Sequence, residues 1–275
     1  MPARPTPPPL VTGSYGRVPY VRIGHGAEKI VVINGGNAFV RRFEPASAAR
    51  NARQIARLFA AGTSLCILGY DTTVTRPCDV SPIVDDIATI IRTHFGTATV
   101  AGISFGGFIA TRLAADHPEL VPRLILLATA HRFSEEGRRR VQQQIADTDR
   151  GDFAAMARPF LTLFRRPWLN LLLRLAIHSG RRSLAQKVND PQFIVCMLES
   201  ALTAGTGDHP HLAQIRAQTL VLAGTHDQFF DLASLQETAD AIPSGKLVLF
   251  PKETHMLPVE RWREVGRVIE KFLRS

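Results

Sequence analysis

Cysteine is scarce in this sequence, with three in 275 residues. Cys66, Cys78 and Cys196 are odd in number and show neither a CxxC pair nor any other metal-ligand spacing. Disulfide-rich scaffolds and structural zinc sites need more cysteines or closer spacing. The composition therefore argues against both, and we expect no metal and no other cofactor.

A long uninterrupted apolar run is also missing. The most apolar stretch, residues 160–177, contains Arg165, Arg166, Pro167, Asn170 and Arg174, whereas a membrane-spanning helix needs about 20 predominantly apolar residues. The proline-rich start has no apolar segment of the kind found in a secretory signal. We therefore expect a flexible lead-in over residues 1–15 and a soluble, cytoplasmic protein that at most lies on a membrane.

Acidic residues are outnumbered by basic ones, 24 to 33, which gives a formal net charge of +9. Most of the excess lies in residues 131–187, where twelve basic and five acidic side chains give +7 and leave +2 for the rest of the chain. No nucleic-acid recognition motif accompanies the charge, so we expect no nucleic-acid partner. A basic, apolar region suits peripheral contact with an anionic membrane, and a solvated helical face is the alternative.

The chain has enough apolar material for one large core, since 45% of its residues are hydrophobic and 21% are charged. From residue 18 onward, nearly continuous apolar runs alternate with helical patterns, which is typical of an α/β fold with a mostly parallel sheet between flanking helices. The predicted strands are 18–23, 29–33, 64–69, 97–102, 123–128, 219–223 and 246–250. The predicted helices around them are 46–61, 81–95, 105–116, 231–241 and 258–273.

Residues 131–217 break this alternation with helical patterns only, at 135–147, 153–164, 168–178, 183–188 and 192–203. Such an all-helical insertion predicts a cap over the carboxyl edge of the sheet. The chain is thus divided into an α/β core, residues 16–130 and 218–275, and a helical cap, residues 131–217. Phe160, Phe164 and Trp168 of the cap, together with Met256, are candidates for substrate binding, and packing between cap helices is the alternative.

The most informative motif is Gly-x-Ser-x-Gly at Gly102 to Gly106, between a predicted strand and a predicted helix. In this context the serine sits on a strained turn and projects its hydroxyl above the sheet, as a nucleophile does. Ser104 is therefore the candidate nucleophile. A glycine-rich strand-to-helix turn is the alternative.

A serine nucleophile needs a base and a carboxylate that orients the base, in the chain order Ser, Asp, His for this architecture. Asp227 follows the predicted strand 219–223 and His255 follows the strand 246–250, so both should emerge at the same sheet edge as Ser104. Asp231 is the rival carboxylate, but it sits where a helix N-cap is expected.

The other histidines are less suited to the role of base. His226 is too close to Asp227 along the chain, and His94 and His117 lie at predicted helix ends. The histidines of the insertion are expected at the surface: His131, His178, His209 and His211.

Acyl transfer also needs two backbone N–H donors for the developing oxyanion. One should belong to Phe105, directly after the serine, and the other to Gly36 or Asn37, in the glycine-containing loop after the strand 29–33. A plain strand-end turn is the alternative for that loop.

Together these motifs resemble the α/β-hydrolase fold superfamily, in particular its capped esterases, lipases and meta-cleavage hydrolases. The likeness extends over about residues 18–273 and includes Gly69-Tyr70-Asp71, Asp85-Asp86 and the closing run from Thr254 to Glu260. The chain departs from the family at Asn34, where His-Gly is usual. This departure bears on the geometry of the oxyanion loop.

The resemblance implies a serine hydrolase that cleaves a hydrophobic carboxylic ester or thioester through an acyl-enzyme on Ser104. C–C bond hydrolysis, a lyase reaction and acyl transfer on the same three residues stay open. So does a ligand sensor with slow or absent turnover. The sequence leaves the oligomeric state undecided.

Overall fold

The computed structural model describes residues 10–73, 79–204 and 209–275, without the side chains of 181–183 and 210. Cys78 and the first nine residues of the predicted lead-in lie outside this part of the chain. Eight strands within it form one sheet in the order β1-β2-β4-β3-β5-β6-β7-β8. The strands are β1 Leu10–Tyr15, β2 Val18–Ile23, β3 Glu28–Ile33, β4 Thr63–Leu68, β5 Thr99–Ile103, β6 Arg123–Leu127, β7 Gln218–Gly224 and β8 Gly245–Phe250.

The sheet is mostly parallel, which confirms the predicted fold class. Pairing from β4 through β3 to β8 is parallel, and β2 pairs antiparallel with both β1 and β4. Along β3, Val31 and Ile33 face one hydrophobic cluster while Ile30 and Val32 face the other. These strands are therefore buried on both faces, as their continuous apolar runs predicted.

Strand β1 corrects the predicted extent of the flexible lead-in. Its six residues pair with β2 across a two-residue turn, in which Gly16 adopts φ +57°. Tyr15 at the end of β1 stacks on Tyr20 of β2, with ring centres 4.3 Å apart. Residues 10–15 thus belong to the sheet, because they pair with β2. The prolines that precede them in the sequence had suggested a flexible segment.

Helices cover both faces of the sheet. On one side lie α3 Ser81–His94, α4 Gly106–Asp116 and α9 Leu232–Ala241, and on the other lie α2 Pro45–Ala56 and α11 Trp262–Arg274. There are also two short helices: α1 Asn37–Val40 follows β3, and α10 Leu257–Glu260 precedes α11. In α11, Val265 and Ile269 are fully buried, so one apolar face of the terminal helix lies on the sheet.

Between β6 and β7 the regular elements among the described residues are helices joined by short loops, with one isolated bridge between Arg41 and Val188. The elements are α5 Glu135–Asp149, α6 Phe153–Met156, a 3₁₀ helix Arg158–Thr162, α7 Pro167–Lys187, α8 Pro191–Ala204 and a second 3₁₀ helix Pro210–Gln214. Two predictions differ in detail. The predicted helix 153–164 is divided into α6 and the 3₁₀ helix, because Pro159 in the first turn of the 3₁₀ helix has no backbone N–H with which to continue α6. The predicted helices 168–178 and 183–188 form one helix.

The helical insertion contacts loops that follow three strands. Thr162 O accepts a hydrogen bond from Gln228 Nε2, after β7, at 3.0 Å. Asn189 Nδ2 donates to Phe39 O, after β3, at 2.7 Å. Arg165 pairs with Glu253, after β8, at 3.1 Å. The insertion therefore lies against the carboxyl-end loops of the sheet.

Two further features concern the cysteines and the length of the helices. Cys66 in β4 is a buried free thiol, and Cys196 in α8 is disulfide-bonded, which the odd cysteine count did not predict. In the described part of the chain, no helix has both the length and the apolar character needed to cross a bilayer.

Candidate active site

Ser104 occupies the strained turn that the motif predicts, between the end of β5 and the start of α4. Its φ is +53°, a conformation that side-chain-bearing residues rarely adopt. Gly106 permits the turn, because a Cβ at this position would lie 2.2 Å from the carbonyl oxygen of Ile33 in β3. The side chain of Ser104 is half-buried and thus remains accessible.

The three predicted polar side chains meet at the carboxyl edge of the sheet. Ser104 Oγ lies 3.0 Å from His255 Nε2, and His255 Nδ1 lies 2.9 and 3.1 Å from the two carboxylate oxygens of Asp227. The carboxylate fixes the imidazole with its N–H on Nδ1, so Nε2 is free to accept the hydroxyl proton. This arrangement can activate a serine hydroxyl.

The Asp227 carboxylate is itself held in place. It is fully buried, and its Oδ1 accepts hydrogen bonds from the Phe229 and Phe230 amides at 2.8 and 3.2 Å. The rival Asp231 instead caps α9, where its side chain accepts from Ser234 N. Asp227, rather than Asp231, therefore lies beside the His255 imidazole.

The predicted oxyanion donors lie on either side of the serine. Gly35 approaches Ser104 closely, since a Cβ on Gly35 would lie 3.2 Å from that of Ser104. Among the described residues, the N–H groups of Gly36, Asn37 and Phe105 donate to no protein acceptor. All three amides are therefore available to a ligand.

Tyr70 holds the loop at Asn34, the position where the chain departs from the family. Its hydroxyl donates to the carbonyl oxygen of Asn34, and the Asn34 side-chain oxygen accepts from the Gly35 amide at 3.0 Å. Burial raises the pKa of Tyr70 above its usual value, so the hydroxyl stays protonated and remains a donor. Asn34 thus keeps the loop tied in place without a histidine.

Aromatic rings form a continuous path around the site. Phe39 contacts Phe105 with ring centres 4.8 Å apart, and Phe229 lies 4.8 Å from the His255 ring. Between them run Phe108, Phe133 and Phe230. The sequence reasoning did not single these rings out, although Phe229 and Phe230 directly follow Asp227.

The four candidates for substrate contact fall into two groups. Phe160 and Met256 are half-buried and pack against the main core, and Phe164 is half-buried. Trp168 is 55% exposed on α7. More than half of the Trp168 surface is therefore open to solvent.

Gln228 and Glu253 were not predicted, and both act on the loop that carries the histidine. Gln228 Oε1 accepts from the His255 amide at 3.1 Å. Glu253 is fully buried and pairs with Arg165 at 3.1 Å and Arg261 at 2.8 Å. The contacts of Gln228 with His255 and of Arg165 with Glu253 join residues far apart in the chain, so no local motif could have revealed them.

Comparison with known proteins gives the family of the chain. Residues 30–268 match the family model described as alpha/beta hydrolase family. The chain belongs to the alpha/beta hydrolase family. This alpha/beta hydrolase is 29% identical over 202 residues to a Bacillus subtilis (strain 168) protein that bears the provisional name 2-succinyl-6-hydroxy-2,4-cyclohexadiene-1-carboxylate synthase. The match covers 70% of this chain and 72% of that protein.

One further relative and one solved structure are informative. The alpha/beta hydrolase is 28% identical over 205 residues to a pimeloyl-acyl-carrier-protein methyl ester esterase of Chromobacterium violaceum, which covers 70% of this chain and 76% of the relative. The fold of this chain matches that of MGS-M2, an alpha/beta hydrolase enzyme from a Medee basin deep-sea metagenome library. The TM-score is 0.76 at 15% identity, and the match covers 96% and 98% of the two chains.

Proposed function

We propose that this alpha/beta hydrolase is a serine hydrolase that cleaves a hydrophobic carboxylic ester or thioester through an acyl-enzyme on Ser104. The observation that carries the proposal is the hydrogen-bonded series Ser104, His255, Asp227, with Ser104 Oγ 3.0 Å from the base. The esterase name of the Chromobacterium relative supports the same class of reaction.

The mechanism follows from the positions of the groups. His255 Nε2 takes the hydroxyl proton as Ser104 Oγ attacks the acyl carbonyl, and buried Asp227 stabilises the positive charge on the imidazole. The amide of Phe105 and that of Gly36 or Asn37 donate to the oxyanion. His255 then protonates the leaving group and activates a water that releases the acid.

The surroundings of the site favour an apolar acyl group. Phe39, Phe105 and Phe229 bring aromatic rings close to the reacting groups, and half-buried Phe160 and Met256 continue this apolar surface in the core. Burial of a longer acyl chain against such side chains should stabilise the complex by roughly 25 cal/mol per Å². We therefore expect esters of medium chain length to be better substrates than acetate.

Hydrolysis of p-nitrophenyl esters from acetate to decanoate tests the proposal. We expect a burst of p-nitrophenol in the wild type, and a loss of kcat/KM of at least about a thousandfold in Ser104→Ala. Ser14→Ala, an exposed serine in β1, is the matched control and should retain activity. A fluorophosphonate should label Ser104 alone. Full esterase activity in Ser104→Ala would overturn the assignment, and an unlabelled, inactive wild type would favour a ligand sensor.

A lyase reaction is the second candidate, because the Bacillus relative carries a synthase name. In that case Ser104 and His255 would move a proton without forming an acyl-enzyme. Mass spectrometry after rapid acid quenching distinguishes the two reactions. An esterase accumulates a mass increase of one acyl group on the peptide that contains Ser104, whereas a lyase does not.

A further inference from the structure

Exposed apolar side chains are concentrated on one helix of the insertion. Of the seven large hydrophobic side chains that are exposed in the described part of the chain, four lie on α7. They are Trp168, Leu171, Leu172 and Leu175, each 54–56% exposed. Their spacing of three, four and seven residues places them on one helical face. We call this face the outer ridge.

The outer ridge is separate from the face with which α7 packs on the protein. Leu169, Leu173 and Ile177 are less exposed than the ridge residues, and α7 contacts α6 and the neighbouring 3₁₀ helix. The helix is therefore already seated through its inner face. The outer ridge takes no part in that packing, and an exposed apolar face of this kind is typical of an interaction site.

The charge around the outer ridge has one sign. The sequence of α7 contains no acidic residue, and Arg174 and His178 are exposed on it. Arg166, directly before the helix, is 58% exposed, and its Nε lies 4.0 Å from the buried carboxylate of Glu260. A helix with an apolar stripe, a tryptophan and flanking arginines suits a bilayer surface that carries negative charge.

We propose that the outer ridge of α7 docks on an anionic lipid bilayer, with the helix lying in the plane of the membrane surface. Arg174 would then reach the lipid phosphates while the leucines and Trp168 enter the headgroup boundary. The helix would lie on the membrane rather than cross it, in keeping with the absence of a spanning helix among the described residues.

A second copy of the chain is a poorer occupant of the ridge. Four half-exposed side chains offer on the order of 400 Å² of apolar area, against the ~800 Å² per partner of a stable interface. A symmetric pairing of ridges would also bring Arg174 of the two copies close together, where like charges repel.

Docking in this way has a consequence for the candidate site. Arg165, just before α7, pairs with Glu253, which lies two residues before His255. The start of the docked helix would therefore hold the histidine loop close to the membrane surface. The docking itself does not rest on the proposed reaction and is tested separately from it.

Vesicle sedimentation tests the proposal with the full chain carrying Ser104→Ala, so that no ester can be hydrolysed. We expect binding to phosphatidylglycerol–phosphatidylcholine vesicles, weakened by 0.5 M salt, and little binding to pure phosphatidylcholine. Leu172→Gln/Leu175→Gln should weaken binding at least about tenfold. Leu232→Gln, at a leucine that is 48% exposed on α9, is the matched apolar control and should not weaken it.

Charge is tested by a second pair of variants. Arg174→Glu should weaken binding to anionic vesicles at least about fivefold, whereas Arg50→Glu, on an exposed arginine of α2, should change it little. Circular dichroism and thermal melting establish that each variant is folded.

Three outcomes would overturn the proposal. The first is equal binding to neutral and anionic vesicles, and the second is anionic binding that is unaffected by Leu172→Gln/Leu175→Gln. The third is no vesicle binding at all. If sedimentation velocity then shows a dimer that the double variant dissociates, the outer ridge is an interface between two copies of the chain.

Discussion

Acidification is expected to destabilise the fold through His131, which lies shortly after β6 and was predicted to be a surface residue. Instead it is 8% exposed, with Nδ1 2.8 Å from Thr238 Oγ1 and its ring centre 4.5 Å from that of His209. Burial lowers the pKa of His131 to about 4, with further lowering by His209 and Arg132 and an opposing effect of Glu237. The native state thus holds this imidazole neutral.

The sign and size of the effect follow from the two pKa values. In the unfolded chain a histidine titrates near pH 6.5. Between pH 6.5 and about 4 the unfolded state therefore binds more protons than the native state, and the free energy of unfolding decreases as the pH is lowered. One pKa unit corresponds to 1.36 kcal/mol, so His131 alone should cost about 2 kcal/mol at pH 5. Burial also lowers the pKa of His211 to about 4, which acts in the same direction.

Urea unfolding at pH 7.5 and pH 5.0 measures this loss. We expect His131→Asn to lose about 2 kcal/mol less than the wild type between the two pH values, whatever its absolute stability. His25→Asn, at an exposed histidine, should lose as much as the wild type. Equal losses in the wild type and His131→Asn would refute the reasoning.

Two paired substitutions test the site and its turn. Asp227→Asn should lower kcat for a p-nitrophenyl ester by about 10⁴-fold, because the imidazole loses the carboxylate that fixes its tautomer. Asp231→Asn should leave kcat nearly unchanged. In thermal melting, Gly106→Ala should lose at least about 2 kcal/mol, since its Cβ would lie 2.2 Å from Ile33 O. Gly180→Ala, whose Cβ meets open space within α7, should be neutral or stabilising by up to about 1 kcal/mol. An unchanged kcat in Asp227→Asn, or a Gly106→Ala protein as stable as the wild type, would contradict these expectations.

The sequence predicted the parts of the molecule that local pattern determines. Continuous apolar runs located seven of the strands to within two residues at each end, because a strand buried on both faces can contain few polar residues. The Gly-x-Ser-x-Gly turn and the polar residues after two later strands led to Ser104, Asp227 and His255, which the structure brings together. Parallel strands end at a common edge, so their order along the chain was sufficient to place these groups.

What the sequence could not predict depends on contacts between distant segments. The loop after β3 is held by Tyr70, which follows β4. The buried position of His131 arises because Thr238 of α9 and His209 of the insertion lie against it. None of these partners follows from spacing along the chain, since each is brought close by the packing of a separate element.

The basic charge of the insertion shows how composition and structure differ in what they reveal. The twelve basic side chains of residues 131–187 are equivalent in a count of charge, but their surroundings are not. Arg132 forms a two-pronged pair with Glu237, and Arg140 binds Glu136. An arginine whose charge already faces a carboxylate adds little attraction for a lipid phosphate, because the two charges largely cancel beyond a Debye length.

The positive field available to a membrane should therefore come from the few arginines around α7, such as Arg174, rather than from the full +7 of the region. The outer ridge is suited to a membrane because its apolar side chains and the exposed Arg174 lie on the same helix. A charge count cannot reveal that coincidence, and neither can hydropathy taken alone. The contrast between Arg174→Glu and Arg50→Glu measures it directly, since both variants change the net charge of the chain by the same amount.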